Sequence, residues 1–367
     1  MQTSESDEAK RLCDDGFAAL EGGRFDDARE ALVRARTLAP DDPLVHFRLA
    51  LLFVDTGRPA EALAALDASL RLQPDNARAH NNRGSALQLL DRLAEAETAF
   101  RRALDLLPAL TQPYTNLGHL LEQQGKRNEA AEIYLRAIAR GLDPALFGHE
   151  LARLEGKATD RAPERWVQTT FDNFAPTFDE RLRALGYNAP EKLAALLKGR
   201  ASGPLRILDL GCGTGLCGVA LAPVKSQLTG VDLSEKMLML ARARGLYDDL
   251  HASEIQAWLA MATTVSFDVV VAADVFIYIG ALEDVFRHVS RVLRPAGWFL
   301  FSTEECAASD YVLQPTGRFA HTQDYIGRLA QPAFTIVAAD PAVIRNEAGR
   351  RLPGRLYLLR RIDGSAD

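Results

Sequence analysis

Apolar and polar positions follow one another along this chain in two different rhythms. Over roughly the first 145 residues, small and large apolar residues return with a period of 34. Gly16, Ala50, Gly84 and Gly118 form one such series, Ala28, Ala62, Ala96 and Ala130 a second, and Leu32, Leu66, Phe100 and Tyr134 a third. Pro40, Pro74 and Pro108 keep the same step. A fixed period of this length marks stacked repeats, each too small to bury its apolar face alone. The small residues let two antiparallel helices approach closely, and the proline ends the second helix of each unit. Polar turns such as Glu21-Gly22-Gly23-Arg24 and Gln124-Gly125-Lys126-Arg127 join the helices within a unit. The spacing predicts four units over about residues 9–142, with the array ending late, at Pro144.

Beyond residue 200 the repeat vanishes and continuous apolar runs take over, the pattern of strands buried on both faces. Ile207-Leu208-Asp209-Leu210 is predicted as such a strand, followed by a helix from Leu216 to about Pro223. Leu228 to Asp232 makes a second strand, and Ser234 caps the helix after it. A short third strand is expected around Leu250-His251-Ala252, ending at Ser253-Glu254. Phe267 to Ala273 is the clearest strand after the first, and it ends in Asp274-Val275-Phe276-Ile277-Tyr278-Ile279. A helix over Leu282–Leu293, a turn at Arg294–Gly297 and a strand over Trp298–Ser302 follow. Phe334–Ala338 and Arg355–Leu359 read as a closing antiparallel pair, with Gln314–Thr322 as a polar-aromatic loop before them.

The chemistry gathers after the first strand, in Gly211-Cys212-Gly213-Thr214-Gly215. Glycine has no Cβ, so a ligand can lie against this backbone, and the next helix points its N–H groups to the same place. Asp232, closing the second strand, is positioned to accept both hydroxyls of a ribose. This constellation fits two nucleotide classes. Gly213-x-Gly215-x-x-Gly218 formally matches a dinucleotide fingerprint. Yet the turn begins earlier, at Gly211, and Asp209 sits beside it, where it would repel a pyrophosphate and suit a ligand carrying positive charge. Ligands of open α/β sheets lie beyond the carboxyl ends of the strands, so Asp274, Val275 and Tyr278 project toward the reacting centre. Arg318 and His321, in the predicted loop, are placed to grip an anionic substrate or take up a proton. Asp274 and His321 are therefore the candidate catalytic groups, with His251 and His288 behind them.

Composition narrows the classes. The apolar fraction is 47% and the charged fraction 25%, ordinary for a globular protein. The net charge is −6, and neither half of the chain carries the basic footprint of a nucleic-acid or anionic-membrane binder. Cys13, Cys212, Cys217 and Cys306 show neither metal spacing nor a disulfide framework, so no metal is expected. No apolar run is long enough to span a membrane, and a cytoplasmic location is the expectation.

Two resemblances add to these readings. The 34-residue units resemble the tetratricopeptide repeat, which implies a superhelix with a concave, protein-binding face; Asn82 and Asn116 resemble asparagines that line it. Asp209-x-Gly211-x-Gly213-x-Gly215 resembles motif I of the class I S-adenosylmethionine-dependent methyltransferases. That implies S-adenosylmethionine as cofactor, held by Asp209, Gly211, Cys212, Gly213, Gly215 and Asp232. Leu233 and Met237 are then placed against the adenine, Glu254 on its amino group, and Asp274 and Val275 beside the methyl-bearing end. The segment Phe171-Asp172-Asn173-Phe174-Ala175-Pro176-Thr177-Phe178-Asp179 is similar to one that precedes the core in many small-molecule methyltransferases, where it forms part of a lid. Its aromatics repeat at three and four, as on one helix face. Phe174, Tyr278 and Arg318 are accordingly candidate substrate contacts.

The fold expected is an all-α tetratricopeptide repeat solenoid followed by an α/β Rossmann-like class I methyltransferase domain, with a seven-stranded mixed sheet whose last strand is antiparallel. The domains are expected at 1–146 and 165–367, joined by a helix and linker over 147–164. The expected activity is methyl transfer to a small-molecule or carrier-bound substrate, with the repeats docking a partner protein. Two alternatives stand beside it: a protein or peptide methyltransferase whose repeats select the target, and a scaffold with a vestigial methyltransferase fold. The absence of Asn/Asp-Pro-Pro-Tyr and of paired cysteines disfavours nucleic acid as acceptor.

Overall fold

A computed structural model of the chain describes residues 2–201, 203–262, 267–307, 310–347 and 350–362. It divides into two compact units, Met1–Leu151 and Ala152–Asp367.

The N-terminal unit is helical throughout. Its helices pair in sequence: α1 (Gln2–Glu21) with α2 (Phe25–Leu38), α3 (Pro43–Asp55) with α4 (Pro59–Leu72), α5 (Ala77–Leu89) with α6 (Leu93–Leu106), and α7 (Thr111–Gln123) with α8 (Arg127–Ala139). Each pair is one 34-residue unit, and α9 (Pro144–Glu155) follows. The residue before each repeat proline has left the helical region: Ala39, Gln73 and Leu107 stand at φ −134°, −135° and −138°. The proline ring disfavours helical dihedrals in its predecessor, which fixes where the helix stops. Asp42 and Asn76 then cap α3 and α5 through the N–H groups of Leu44 and Ala79. The periodic alanines and their large partners, Leu32, Leu66, Phe100 and Tyr134, are fully buried. A Cβ at Gly84 would lie 2.5 Å from the Phe100 ring, and one at Gly118 2.3 Å from that of Tyr134. Here glycine is the space into which an aromatic ring packs.

Asn116 donates from Nδ2 to Oδ1 of Asn81 at 3.0 Å, and Asn81 in turn to Asn82 at 3.2 Å. The two asparagines singled out in the sequence thus belong to an amide chain linking α5 and α7. His119, Glu122 and Glu150 offer ligand atoms within 4.8 Å of one another, a grouping that sequence spacing did not show. No described helix is long and apolar enough to cross a membrane.

The second unit begins with α10 (Glu164–Phe174), α11 (Phe178–Ala184) and α12 (Ala189–Leu197). The sequence predicts one helix face running from Phe171 to Phe178; the structure breaks it with a 3-10 turn over Ala175–Thr177. Residue 176 is a proline, which has no N–H to continue the helix. The sheet then forms from β1 (Leu205–Leu210), β2 (Lys225–Asp232), β3 (Asp249–Ala252), β4 (Phe267–Ala272) and β5 (Leu293–Glu305). These five lie parallel in the order β3-β2-β1-β4-β5. Their crossovers carry α13 (Leu216–Leu221), α14 (Glu235–Ala243), α15 (Ile255–Met261) and α16 (Glu283–Val292).

After β5 come β6 (Tyr311–Leu313), β7 (Phe319–His321), α17 (Gln323–Ala330), β8 (Phe334–Glu347) and β9 (Arg350–Arg361). β9 runs antiparallel to β5 and β8 antiparallel to β9, which completes a seven-stranded mixed sheet. The expected loop at Gln314–Thr322 is instead largely a hairpin. β7 pairs antiparallel with β6 and runs parallel to β5 at Glu304 and Glu305, past the end of the β4 seam at Phe301, which extends the sheet to nine strands. Successive residues of a strand face opposite sides. Leu208 and Leu210 accordingly join the core that holds Phe276, Phe299 and Phe301, and Ile207 the core that holds Leu193 and Leu221. β1 has β2 on one side and β4 on the other, so the chain reverses direction across the sheet at their carboxyl ends.

Candidate functional site

A cavity of about 440 Å³ opens at that reversal, lined by the segments that follow β1, β2, β3 and β4 and by α10 and α11. The turn after β1 is built backwards onto β2. Gly211 and Cys212 both donate N–H to the carbonyl of Val231, at 2.7 and 3.1 Å. Gly213 and Ser234 donate theirs to the two oxygens of Asp232, at 2.8 and 2.9 Å. The carboxylate is thereby locked at the cavity edge with lone pairs to spare. Burial pushes its carboxyl above the usual range, and the N–H groups of Ser234 and Gly213 oppose the shift.

The glycines of this turn do three different jobs. Gly213 has φ +53°, and a Cβ there would meet nothing nearer than Phe178 Cε1 at 3.9 Å, so a side chain would enter the cavity. Gly211 has φ +65° and gives its space to Val275, whose Cγ2 would lie 2.5 Å from a Cβ. Gly215, at φ +93°, precedes α13 and packs against Tyr247 and Arg244 instead of lining the cavity.

Two further expected site residues are relocated. Asp209 lies behind the turn, fully buried and outside the cavity wall. Its Oδ2 accepts from the Tyr247 hydroxyl at 2.6 Å while Oδ1 has no hydrogen-bond partner. Burial pushes its carboxyl up to about 7, against the pull of that hydroxyl. It props the turn from behind, through Tyr247. His321 is also fully buried and outside the cavity. Its Nε2 lies 3.0 Å from the carbonyls of both Ile279 and Gly280, and its ring stacks on Tyr325. Burial lowers it to about 4, which makes it a weak proton acceptor, and its place outside the cavity keeps it from reaching a substrate as the base. His251 and His288 lie outside the cavity as well.

The other expected residues line the cavity: Cys212, Leu233, Glu254, Asp274, Val275, Phe174, Tyr278 and Arg318. Met237 is core. Glu254 also caps α15, accepting from Ala257 N at 2.7 Å. Asp274 has φ +58°, a left-handed conformation uncommon outside glycine. Its N–H donates to Ser302 Oγ at 2.8 Å, and both of its oxygens meet Nη1 of Arg345, at 2.9 and 2.7 Å. Arg345 is itself buried and also pairs with Glu304, which Arg318 approaches at 3.6 Å. Two carboxylates thus meet two guanidiniums on this wall.

Sequence reasoning missed Arg345, Glu304 and Tyr247, which come from distant strands and loops and match no motif. It also missed how the segment over α10 and α11 is fastened. Asp172 accepts from Ser234 Oγ, and Asp179 from Thr214 Oγ1, both at 2.5 Å. Asp179 also pairs with Arg244. The Phe-Asp repeat in the segment was the available signal, because both acids sit one place after a cavity-lining phenylalanine, Phe171 or Phe178.

The family model described as a methyltransferase domain matches residues 208–301, and tetratricopeptide repeat models match 16–63, 47–110 and 111–140. This chain carries a methyltransferase domain behind tetratricopeptide repeats. Among curated relatives, the ubiquinone biosynthesis O-methyltransferase of Bordetella avium is 29% identical over 148 residues, 37% of this chain and 59% of that protein. Its namesake in Thiobacillus denitrificans is 33% identical over 116 residues, 30% and 50% of the two chains. The chain thus spans little more than half the length of these relatives. Among solved structures, the 1,6-didemethyltoxoflavin-N1-methyltransferase of Burkholderia thailandensis aligns at TM-score 0.44 and 19% identity, covering 56% of this chain and 93% of that one. The matched range contains the glycine turn, Asp232 and Asp274; Arg345, Glu304 and the helices α10 and α11 lie outside it.

Proposed function

We propose that the C-terminal unit transfers a methyl group from S-adenosylmethionine to a hydroxyl of a largely apolar small-molecule or carrier-bound acceptor. The observation that carries this is Asp232, fixed by two backbone N–H groups beside a glycine turn whose open face borders the cavity. A nucleoside fits these residues: Asp232 keeps acceptor capacity for ribose hydroxyls, and Gly213 leaves room for a ligand against the backbone. When bound, S-adenosylmethionine supplies an activated methyl on a sulfonium.

The chain's own residues do the rest by positioning, which carries most of the catalysis in a displacement of this kind. Asp232 holds the ribose, with Leu233 and Glu254 flanking the base. Asp274 accepts the hydrogen of the acceptor hydroxyl, and its pairing with Arg345 holds the carboxylate in place. Phe171, Phe174 and Tyr278 keep water from the reacting atoms. Support for oxygen as the acceptor atom comes from the apolar wall and the carboxylate at its end. The relatives, named as O-methyltransferases, point the same way. The repeat unit, on this reading, docks a partner protein through its first helices.

Titration calorimetry of the full chain tests the cofactor, with S-adenosylhomocysteine and NAD as ligands. Micromolar binding of the former alone is expected; binding of NAD alone, or of neither, sinks the reading. Asp274→Asn is expected to slow turnover ten- to a hundredfold with little change in S-adenosylhomocysteine affinity. The reverse pattern would move Asp274 into the cofactor's own shell.

A further inference from the structure

The last helix of the N-terminal unit, α9, belongs to no 34-residue pair, and its seat is aromatic. Phe147 is fully buried, with its ring 6.0 Å from those of Tyr114 and Tyr134. Glu150 stands one turn further on the same helix face and is carried into the packed layer, at 2% exposure. There it meets α7. Its Oε2 lies 3.2 Å from Nε2 of His119, and Glu122, one turn after His119, brings a second carboxylate. Ligand atoms of the three side chains lie within 4.8 Å of one another.

The internal repeat shows that this grouping is peculiar to the end of the array. At steps of 34, His119 is preceded by Ser85, Leu51 and Phe17, and Glu122 by Gln88, Val54 and Leu20. These two positions carry no imidazole and no carboxylate in the first three units. Both change to metal-ligand types in the fourth, the unit against which α9 packs. The same unit supplies an outer partner. The Tyr134 ring fills the space at Gly118, and its hydroxyl donates to Glu122 Oε1 at 3.1 Å. That bond orients the carboxylate from outside the grouping, as partners of metal ligands do.

The distances and donors suit one kind of cation. Tetrahedral zinc, with bonds of about 2.0–2.2 Å to nitrogen and oxygen, holds neighbouring donor atoms about 3.3 Å apart. The His119–Glu150 separation of 3.2 Å is already such an edge. Glu122, partly exposed, closes the third corner by a side-chain rotation. One imidazole with two carboxylates is a zinc set that leaves the fourth place to water, whereas magnesium and calcium select oxygen alone. His119 has 45% of its side chain exposed, so an ion has a way in from solvent. A cation here also relieves the repulsion between two carboxylates held this close.

We propose that His119, Glu122 and Glu150 bind a zinc ion, which ties α9 to α7 and closes the end of the repeat array. A terminal element of a stacked array has a neighbour on one side only, and an ion that bridges two helices adds the missing fastening. The site lies within the N-terminal unit and stands independently of the methyl-transfer reading.

Calorimetric titration of the metal-stripped full chain with zinc chloride tests this, with magnesium and calcium chloride alongside. One zinc per chain at roughly micromolar affinity is expected, and no binding of the other two ions. Glu150→Gln, which keeps the side chain's shape, and His119→Ala are each expected to weaken zinc roughly a hundredfold, and Tyr134→Phe roughly tenfold. Excess zinc is expected to raise the thermal midpoint of the N-terminal unit by about 5 °C in the wild type and by about 1 °C at most in Glu150→Gln. The metal-free midpoints report separately that each variant folds. Zinc affinity unchanged in both Glu150→Gln and His119→Ala would place the ion elsewhere, on a cysteine for instance. Wild-type affinity no better than millimolar, or a preference for magnesium or calcium, would refute the donor argument. Each of these results overturns the proposal.

Discussion

Glycine does opposite work in the two units of this protein. In the repeats, Gly84 and Gly118 are filled space, each occupied by an aromatic ring 34 residues' period away from the next. In the methyltransferase domain, Gly213 is kept open, with a positive φ and no atom within 3.8 Å of where a Cβ would stand. The first kind stabilises a fold and the second leaves room for a ligand. The lesson is that a glycine pattern in a sequence carries function only where nothing in the protein takes up the space.

Matched substitutions break or sharpen this contrast. Gly118→Val puts a branched side chain into the Tyr134 ring. It is expected to cost the N-terminal unit about 3 kcal/mol, read by chemical denaturation, and to leave S-adenosylhomocysteine affinity unchanged. Gly213→Val reverses the pattern: affinity for S-adenosylhomocysteine falls at least a hundredfold while stability drops by about 1 kcal/mol from the left-handed backbone. If both variants lost stability equally, the glycine turn would be a packing device like the repeats.

His321 gives a smaller effect with a defined pH window. Its folded pKa, about 4, lies below the ordinary value of 6.5, so the unfolded chain takes up the proton first. The stability this contributes is complete above about pH 6.5 and is lost as pH falls toward 4. Between pH 7.5 and 5 the loss is about 2 kcal/mol, which His321→Gln should remove from the unfolding midpoints. An unchanged pH profile in the variant would mean that another group titrates there. The smallest change is expected for Asp209→Asn, which should alter S-adenosylhomocysteine affinity less than threefold, since the carboxylate faces Tyr247 and not the cavity. A loss as large as that of Gly213→Val would return Asp209 to the ligand shell.

The two acids on either side of the glycine turn show how far the sequence was legible. Asp232 lines the cavity where its position in the sequence led one to expect it: the last residue of the second strand in a parallel sheet stands at the carboxyl edge. Asp209 belongs to the same motif and looked equivalent. Only the sheet shows that its side chain shares a face with Ile207 and ends on the Tyr247 hydroxyl, outside the cavity wall. His321 failed as a candidate for a similar reason. A histidine in a polar stretch reads as a loop residue, whereas pairing with β5 and β6 carries it into the core.

By itself, the sequence determined the repeat array, the order of strands and helices, the glycine turn and the acid that closes β2. All of these arise from local rules: a 34-residue period, prolines that end helices, apolar runs that must be buried, and glycines where a Cβ cannot stand. The tertiary structure alone decided which polar groups meet. Asp274 finds Arg345 across 71 residues, Asp179 finds Thr214 across 35, and Arg181 reaches the cavity while Asp209 and His321 do not. Contacts of that kind depend on which strands become neighbours and where the helices before β1 pack, and no spacing along the chain encodes either.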